Sequence, residues 1–240
     1  MKCPREAAQY LSTLILYDIA ILIDDSLSML TEQEGKRIED LKKTLKLVAH
    51  IYRLYNDDGI KAVDFLNDEV GEVNVAEEDV DEIFKNHSYR GLTRIGTELQ
   101  QKVLNESVLA TDKEMFKPLL ILIFTDGDVE GEKSGHLKWV IKDCIKELNQ
   151  KYPEHGAHAV AFQFARVGDD AGAEKLLRGL DDDKDIGKYV DTLPVGIDHM
   201  SNEEFKWPMV YISHWLGLQY VLALKPSKLT KLLLGAILIL

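Results

Sequence analysis

Cysteine is scarce in this sequence, and its scarcity argues against the small secreted proteins that depend on cross-links. The chain of 240 residues contains two cysteines, Cys3 and Cys144. They lie far apart, and only Cys144 falls within a predicted helix, so a disulfide framework is not expected. The sequence therefore predicts reduced thiols and a core held together by packing alone.

Cations and long apolar runs are also few. Lys and Arg number 29 against 41 Asp and Glu, which gives a formal net charge of -12. A phosphate backbone requires clustered cations, so nucleic acid is not expected as a ligand. The final apolar run, Leu232 to Leu240, has about half of the ~20 residues that span a bilayer. Because the opening MKCPREAAQY is polar and unlike a secretion signal, the expected location is cytoplasmic.

Common catalytic motifs are missing as well. The seven histidines form no HExxH motif and no i, i+4 zinc pair, and neither GxSxG nor a Walker A sequence is present. A hydrolase triad would require Ser26 or Ser28 beside a histidine at another strand end, and His158 is predicted inside a strand.

The sequence does contain a regular alternation of strands and amphipathic helices. With 45% hydrophobic residues, the chain can build a sizeable core. Strands are predicted at Tyr17–Ile23, Ile60–Leu66, Leu119–Phe124 and Ala157–Val167, with shorter edge strands at Glu69–Val75 and Tyr189–Val195. Helices are predicted at Glu32–Tyr55, Ala76–Lys85, a segment ending near Val108, Glu132–Lys151 and Asp169–Leu180. This order predicts a doubly wound α/β fold with a mostly parallel sheet over residues 1–200, followed by a C-terminal helical extension over 201–240.

Oxygen-bearing side chains follow the most apolar strands. Asp24, Ser26 and Ser28 form the pattern DxSxS directly after the first strand, and Asp126 stands in a TDG sequence after Leu119–Phe124. Thr93 lies between them in a GLT sequence. Ligands bind at the carboxyl ends of strands in open α/β sheets, and these hard oxygen donors favour Mg²⁺ over zinc.

This ordered set resembles the von Willebrand factor A domain over about residues 17 to 195. In that Rossmann-like family, a metal-ion-dependent adhesion site uses the three motifs together. The resemblance implies Asp24, Ser26, Ser28, Thr93 and Asp126 as the metal site, with Mg²⁺, or alternatively Mn²⁺ or Ca²⁺, as the ion. It implies a stand-alone intracellular module, not an enzyme, that captures an Asp or Glu side chain of a protein partner. Leu27 and Leu92 stand where the family commonly has glycine.

Several alternatives remain open at this stage. Asp24 with Ser26 could simply cap a helix, and Asp126 before Gly127 could make a turn. Thr97 competes with Thr93 as the loop hydroxyl, although a capping role suits it better. Asp25 is expected at the rim of the site. The distant functional alternative is a metal-dependent phosphoryl-transfer or hydrolase-type α/β enzyme that uses Asp24 and Asp126.

The last residues also have two interpretations. Lys231 to Ile237 resembles the closing helix of short stand-alone A-domain proteins, which would dock on the sheet. Otherwise Leu232 to Leu240 is a segment that seeks a membrane or a partner.

Overall fold

Six strands form one sheet at the centre of the molecule. The computed structural model describes residues 13–85, 87–110, 115–127, 129–153, 156–192 and 197. The strands are β1 (Asp18–Ile23), β2 (Ile60–Phe65), β3 (Glu72–Val75), β4 (Leu119–Thr125), β5 (Val160–Arg166) and β6 (Val190–Thr192). Their order is β3-β2-β1-β4-β5-β6, with β3 antiparallel to β2 and every other pairing parallel. This is the strand order of a doubly wound, vWA-like α/β fold, so the predicted fold class is confirmed.

The two central strands explain why the sheet forms where it does. β1 and β4 are almost wholly buried, and Ile21 pairs with Leu122 in a parallel register. Strands covered on both faces need continuous apolar runs, and both sequences provide them. The strand order reverses between β1 and β4, so a crevice is expected where these two strands end.

Helices cover both faces of the sheet. The α-helices are α1 (Leu27–Thr31), α2 (Lys36–Arg53), α3 (Val80–Lys85), α4 (Ile95–Glu98, continuing as a π-helical stretch Leu99–Leu104 and Asn105–Ser107), α5 (His136–Lys151) and α6 (Ala171–Asp181). Short 3-10 turns lie at Thr13–Leu16, Glu32–Gly35, Glu77–Asp79 and Gly156–His158. One core cluster lies under α2, and a second lies under α4, α5 and α6. The layers are therefore helix, sheet and helix.

The edges of the sheet match the sequence prediction. β3 is short and mostly exposed, and β6 is a three-residue strand at the opposite edge. The start of α6 is capped by Asp170, whose side chain accepts a hydrogen bond from the backbone N of Ala173 at 2.8 Å. Such a bond satisfies one of the amides that a helix start leaves free.

Several boundaries differ from the prediction. The helix predicted from Glu32 begins at Lys36, after left-handed residues at Gln33, Glu34 and Gly35. The helix predicted from Glu132 begins instead at His136, because Gly135 adopts a left-handed φ of 79° just before it. His158 lies in a 3-10 turn before β5 and not inside the strand. The predicted extension at 201–240, with both interpretations of its last residues, lies outside the described residues. Within the described part of the chain, no helix is both long and apolar enough to cross a membrane.

Candidate metal centre

Asp24 is fully buried at the point where β1 ends. Its backbone N still bonds the carbonyl of Phe124 at 2.8 Å, so the sheet fixes its position. One carboxylate oxygen, Oδ1, accepts from the backbone N of Ser26 at 3.0 Å. The other, Oδ2, accepts from the hydroxyl of Thr125 at 2.8 Å. Asp24 therefore links the loop after β1 to the end of β4.

Ser26, Ser28 and Asp126 form a continuous chain of hydrogen bonds. Ser26 lies just before α1 and Ser28 lies in its first turn, which brings their two hydroxyl oxygens to 3.0 Å. The Ser28 hydroxyl donates to Oδ1 of Asp126 at 3.1 Å. The Ser26 hydroxyl also hydrogen-bonds the Asp24 carboxylate, so its single proton is shared between Asp24 and Ser28. With Asp24 bonded to Ser26, four of the five predicted residues are thus brought into direct contact.

Thr93 is buried on a neighbouring loop and does not join these hydrogen bonds. A backbone hydrogen bond fixes its position, because the N of Glu130 donates to the carbonyl of Thr93 at 3.0 Å. Its exposure is 5%. No hydrogen bond joins the Thr93 hydroxyl to another residue in the described part of the chain. Its place among the metal ligands stays a prediction.

Thr97, the rival of Thr93, is occupied elsewhere. Its hydroxyl donates to Oε2 of Glu132 at 2.9 Å, and its backbone N bonds the same oxygen at 2.8 Å. The backbone N of Gly96 bonds Oε1 of Glu132 at 3.0 Å. The Glu132 carboxylate therefore caps the start of α4 from a different loop, and Thr97 takes part in that cap.

Asp25 differs from the sequence expectation, because it is buried and not at the rim. Its Oδ1 accepts from the backbone N and the side-chain amide of Asn67, at 2.9 and 2.8 Å. Its Oδ2 lies 2.9 Å from Nε2 of His87, whose ring stacks on Phe65. An acid directly after a buried strand can point to either side of it, and here Asn67 and His87 supply polar partners. Asp25 fastens the loops after β1 and β2 together.

Arg37 is a residue of the candidate site that the sequence motifs do not reveal. Its side chain is 2% exposed, and its Nη1 lies 2.6 Å from Oδ2 of Asp126. Its Nη2 lies 2.6 Å from Oε2 of Glu32. Helical spacing could have revealed it, because Arg37 falls on the same face of α2 as Leu41 and Leu45. A charged residue on the buried face of a helix requires a buried partner.

Burial makes both carboxyl groups of the site hard to ionise in the absence of a cation. It raises the pKa of Asp24 above its usual range. Burial, followed by the charge of Asp24, raises the pKa of Asp126 to about 6, although Ser28 and Arg37 act in the opposite direction. One guanidinium, itself shared with Glu32, does not balance two buried carboxylates. The site is therefore short of positive charge.

The donor set fits a hard dication in type and in spacing. Magnesium takes oxygen ligands at about 2.0–2.1 Å in octahedral geometry, which places neighbouring ligand oxygens about 2.9 Å apart. The oxygen separations of 3.0 Å between the serines and 3.1 Å from Ser28 to Asp126 are close to that value, and they are equally those of hydrogen bonds. In the described part of the chain, no group of three or more His, Cys, Asp or Glu side chains is placed to hold a metal. The candidate is instead rich in hydroxyls.

Comparisons with known proteins give no family by sequence. No family model matches the chain, and no curated protein matches it. The fold is similar to that of proximal thread matrix protein 1 from the mussel byssus, whose structure is described as having a zinc-occupied MIDAS motif. The TM-score is 0.48 and the sequence identity is 18%, over 80% of this chain and 47% of that chain. A second crystal form of that protein gives a TM-score of 0.45 and 19% identity over 81% of this chain and 45% of that chain. The chain thus spans less than half the length of that protein. Strand order and pairing define the fold class without these likenesses.

Proposed function

We propose that this chain is a divalent-metal-dependent protein-binding module that captures an Asp or Glu side chain of a partner. The observation that carries the proposal is the hydrogen-bonded set of Ser26, Ser28 and Asp126 at the carboxyl ends of β1 and β4. Ligand sites in doubly wound sheets are expected at this switch point. Oxygen donors from two separate loops converge there.

In this proposal each residue has a separate task. The hydroxyls of Ser26 and Ser28, joined by Thr93, bind the ion directly, and Asp24 and Asp126 supply negative charge and orient the hydroxyls. A dication held largely by neutral hydroxyls keeps positive charge that attracts an anionic oxygen from outside. Mg²⁺ is the favoured ion, with Mn²⁺ and Ca²⁺ as alternatives. A cytoplasmic setting belongs to the same proposal.

The surroundings of the serines favour a binder over an enzyme. Hydrolysis normally needs a general base beside the attacking group. In the described residues, the side chains that hydrogen-bond Ser26 and Ser28 are one another, Asp24 and Asp126, and no histidine hydrogen-bonds either serine. In this proposal both carboxylates are committed to the ion, and His87 pairs with Asp25 instead.

The first prediction is that metal stabilises the folded protein. Binding joins two or more loops, so a dication at a hundred times its dissociation constant should add about 2.7 kcal/mol to the free energy of unfolding. The melting temperature is measured in EDTA and in millimolar Mg²⁺, Mn²⁺, Ca²⁺ and Zn²⁺. Ser28→Ala should lose most of the shift, whereas Ser107→Ala, in α4, should keep it.

Partner capture is tested by pull-down with and without Mg²⁺, using wild type beside Asp24→Ala. We expect metal-dependent recovery of a partner whose binding is lost when its acidic residue is neutralised. Identical melting curves in EDTA and in every metal would contradict the metal site. Metal-dependent hydrolysis of a phosphate ester by pure protein, lost in Asp24→Ala, would instead support the phosphoryl-transfer alternative.

A further inference from the structure

A buried cation already lies against the candidate metal site. The Arg37 guanidinium bonds Oδ2 of Asp126, while Oδ1 of the same carboxylate accepts from Ser28. Both oxygens of Asp126 are therefore engaged, one by the serine chain and one by the arginine. Any ion that needs the charge of Asp126 must compete with Arg37 for it.

The guanidinium has a second carboxylate within reach. Glu32 holds Nη2 at 2.6 Å and is 56% exposed at its side chain, whereas Arg37 is 2% exposed. The chain between them adopts left-handed conformations at Gln33 (φ 54°), Glu34 (φ 53°) and Gly35 (φ 80°), which fold Glu32 back onto Arg37. Such backbone angles are costly for residues other than glycine, so the surrounding contacts must maintain them. Glu32 can keep the guanidinium paired when Asp126 does not.

The hydrogen bonding of the Arg37 side chain is also incomplete. Its Nε is buried and has no hydrogen-bond partner among the described residues. A buried donor without an acceptor costs free energy, so this position of the guanidinium carries a cost. Asp126 and Glu32 share this one cation, and the buried carboxylate of Asp24 has none. A dication on the side of Asp24 and Asp126 would leave Arg37 to Glu32 and correct that imbalance.

We propose that Arg37 is an internal competitor for the metal: its ion pair with Asp126 closes the site, and metal binding requires that pair to open while Glu32 retains the guanidinium. The inference rests on the proposed function and adds a control element to the same site. Arg37 then sets how much metal the site needs before it captures a partner. Glu32 has the opposite effect, because it draws the guanidinium away from Asp126.

The test measures Mn²⁺ affinity of the full chain by calorimetry for Arg37→Gln, Glu32→Gln and the double variant. Arg37→Gln should bind Mn²⁺ about tenfold tighter or more, since the competitor is gone. Glu32→Gln should bind it several-fold more weakly, because Arg37 then stays on Asp126. In the double variant the change at Glu32 should have no effect, since it acts only through Arg37.

Matched controls separate this coupling from a general change of charge. Lys36→Gln removes a neighbouring exposed cation, and Glu39→Gln removes an exposed anion of the same helix. Both should leave the affinity within about twofold of wild type, as expected for solvent-screened charges. If Glu32→Gln weakens binding equally with and without Arg37, its effect is through space and the proposal is overturned.

Buried Arg37 also needs a milder variant, in case Arg37→Gln does not fold. Arg37→Lys keeps the charge but lacks the fork that holds two carboxylates at once, so its Mn²⁺ affinity should lie between wild type and Arg37→Gln. Exposed Glu32→Gln should fold in any case, and unchanged affinity in it would count against the proposal.

The outcomes also distinguish this inference from the proposed function. If wild type binds Mn²⁺ and folded Arg37 variants bind no tighter, the inference fails and the proposed function stands. If wild type does not bind and Arg37→Gln does, Arg37 is confirmed as the competitor and the native chain is not a metal-dependent module. If none of the proteins binds, both are wrong.

Discussion

Single donors decide how the carboxylates of this site are held. Asp24 is buried without a cation of its own, and the hydroxyl of Thr125 supplies one of the hydrogen bonds to its carboxylate. The threonine of a TDG sequence looks like the last residue of a strand, so the sequence does not mark Thr125 as a partner of Asp24. Its position opposite a buried acid becomes visible only when β1 and β4 pair.

Thr125→Val should lower the free energy of unfolding of the metal-free protein by about 1–3 kcal/mol. The substitution keeps the volume but leaves a buried carboxylate with one partner fewer. Urea unfolding in EDTA measures the change. Thr44→Val is the matched control, because that hydroxyl bonds only the carbonyl of Asp40 one turn earlier in α2, and its loss should cost within about 0.5 kcal/mol. Equal losses in the two variants would mean that the bond to Asp24 contributes nothing special.

The helices and strands are predictable from the sequence, whereas the partners of their side chains are not. The parallel strands followed from apolar runs, and the edge strand β3 followed from its polar alternation. The amphipathic pattern of α2 is defined by its apolar members, so that pattern does not identify Arg37. Its partner Asp126 lies 89 positions away in the chain, and no local pattern records such a pairing.

The loop after β5 packs against the side chain of Arg37. Val167 is tied to β4 through a bond from its N to the carbonyl of Thr125 at 2.9 Å. Gly168 follows with a φ of +80°, and a Cβ built there would lie 2.6 Å from atoms of the Arg37 guanidinium. Glycine is needed at this position for two reasons, its backbone conformation and the close approach of the arginine.

Gly168→Ala should therefore destabilise the protein more than backbone strain alone predicts. Gly135→Ala measures that strain, because Gly135 has a φ of +79° and nothing within 4 Å of a built Cβ. We expect the control to cost about 1–2 kcal/mol and Gly168→Ala to cost at least about 1 kcal/mol more, since the guanidinium must move. Thermal or urea unfolding of both variants in EDTA checks this. Equal costs would contradict the packing of Gly168 on Arg37.

Across the whole molecule, two groups of acids act on stability in opposite pH ranges. Pairing with Lys138 and Lys142 lowers the pKa of Asp183 and Asp185, and their stabilising effect is lost as pH falls through that lowered range. Burial has the opposite effect elsewhere. It raises the pKa of Asp64 to about 6, with Lys102 opposing the shift only in part.

The acids with raised pKa values determine how the stability of the fold changes as pH rises. A carboxyl whose folded pKa lies above its unfolded value binds its proton more tightly in the folded state. Its contribution is therefore present below about pH 4 and is lost as pH rises to about 6. Asp64 and Asp126 both act in this direction, but only Asp126 lies in the proposed metal site.

In EDTA, the stability of the wild-type protein should therefore decline between about pH 4 and about pH 7, and saturating Mg²⁺ should reduce that decline. A dication beside Asp126 favours its ionised form and removes the part of the decline that this residue causes. Asp64→Asn should remove a separate part, on the order of 1 kcal/mol after allowance for its partial exposure, and should leave the effect of Mg²⁺ unchanged. Urea unfolding at half-unit pH steps, with and without Mg²⁺, measures both parts. Suppose that Asp64→Asn reduces the decline but Mg²⁺ does not alter the pH profile. That result would show that the ion does not bind beside Asp126.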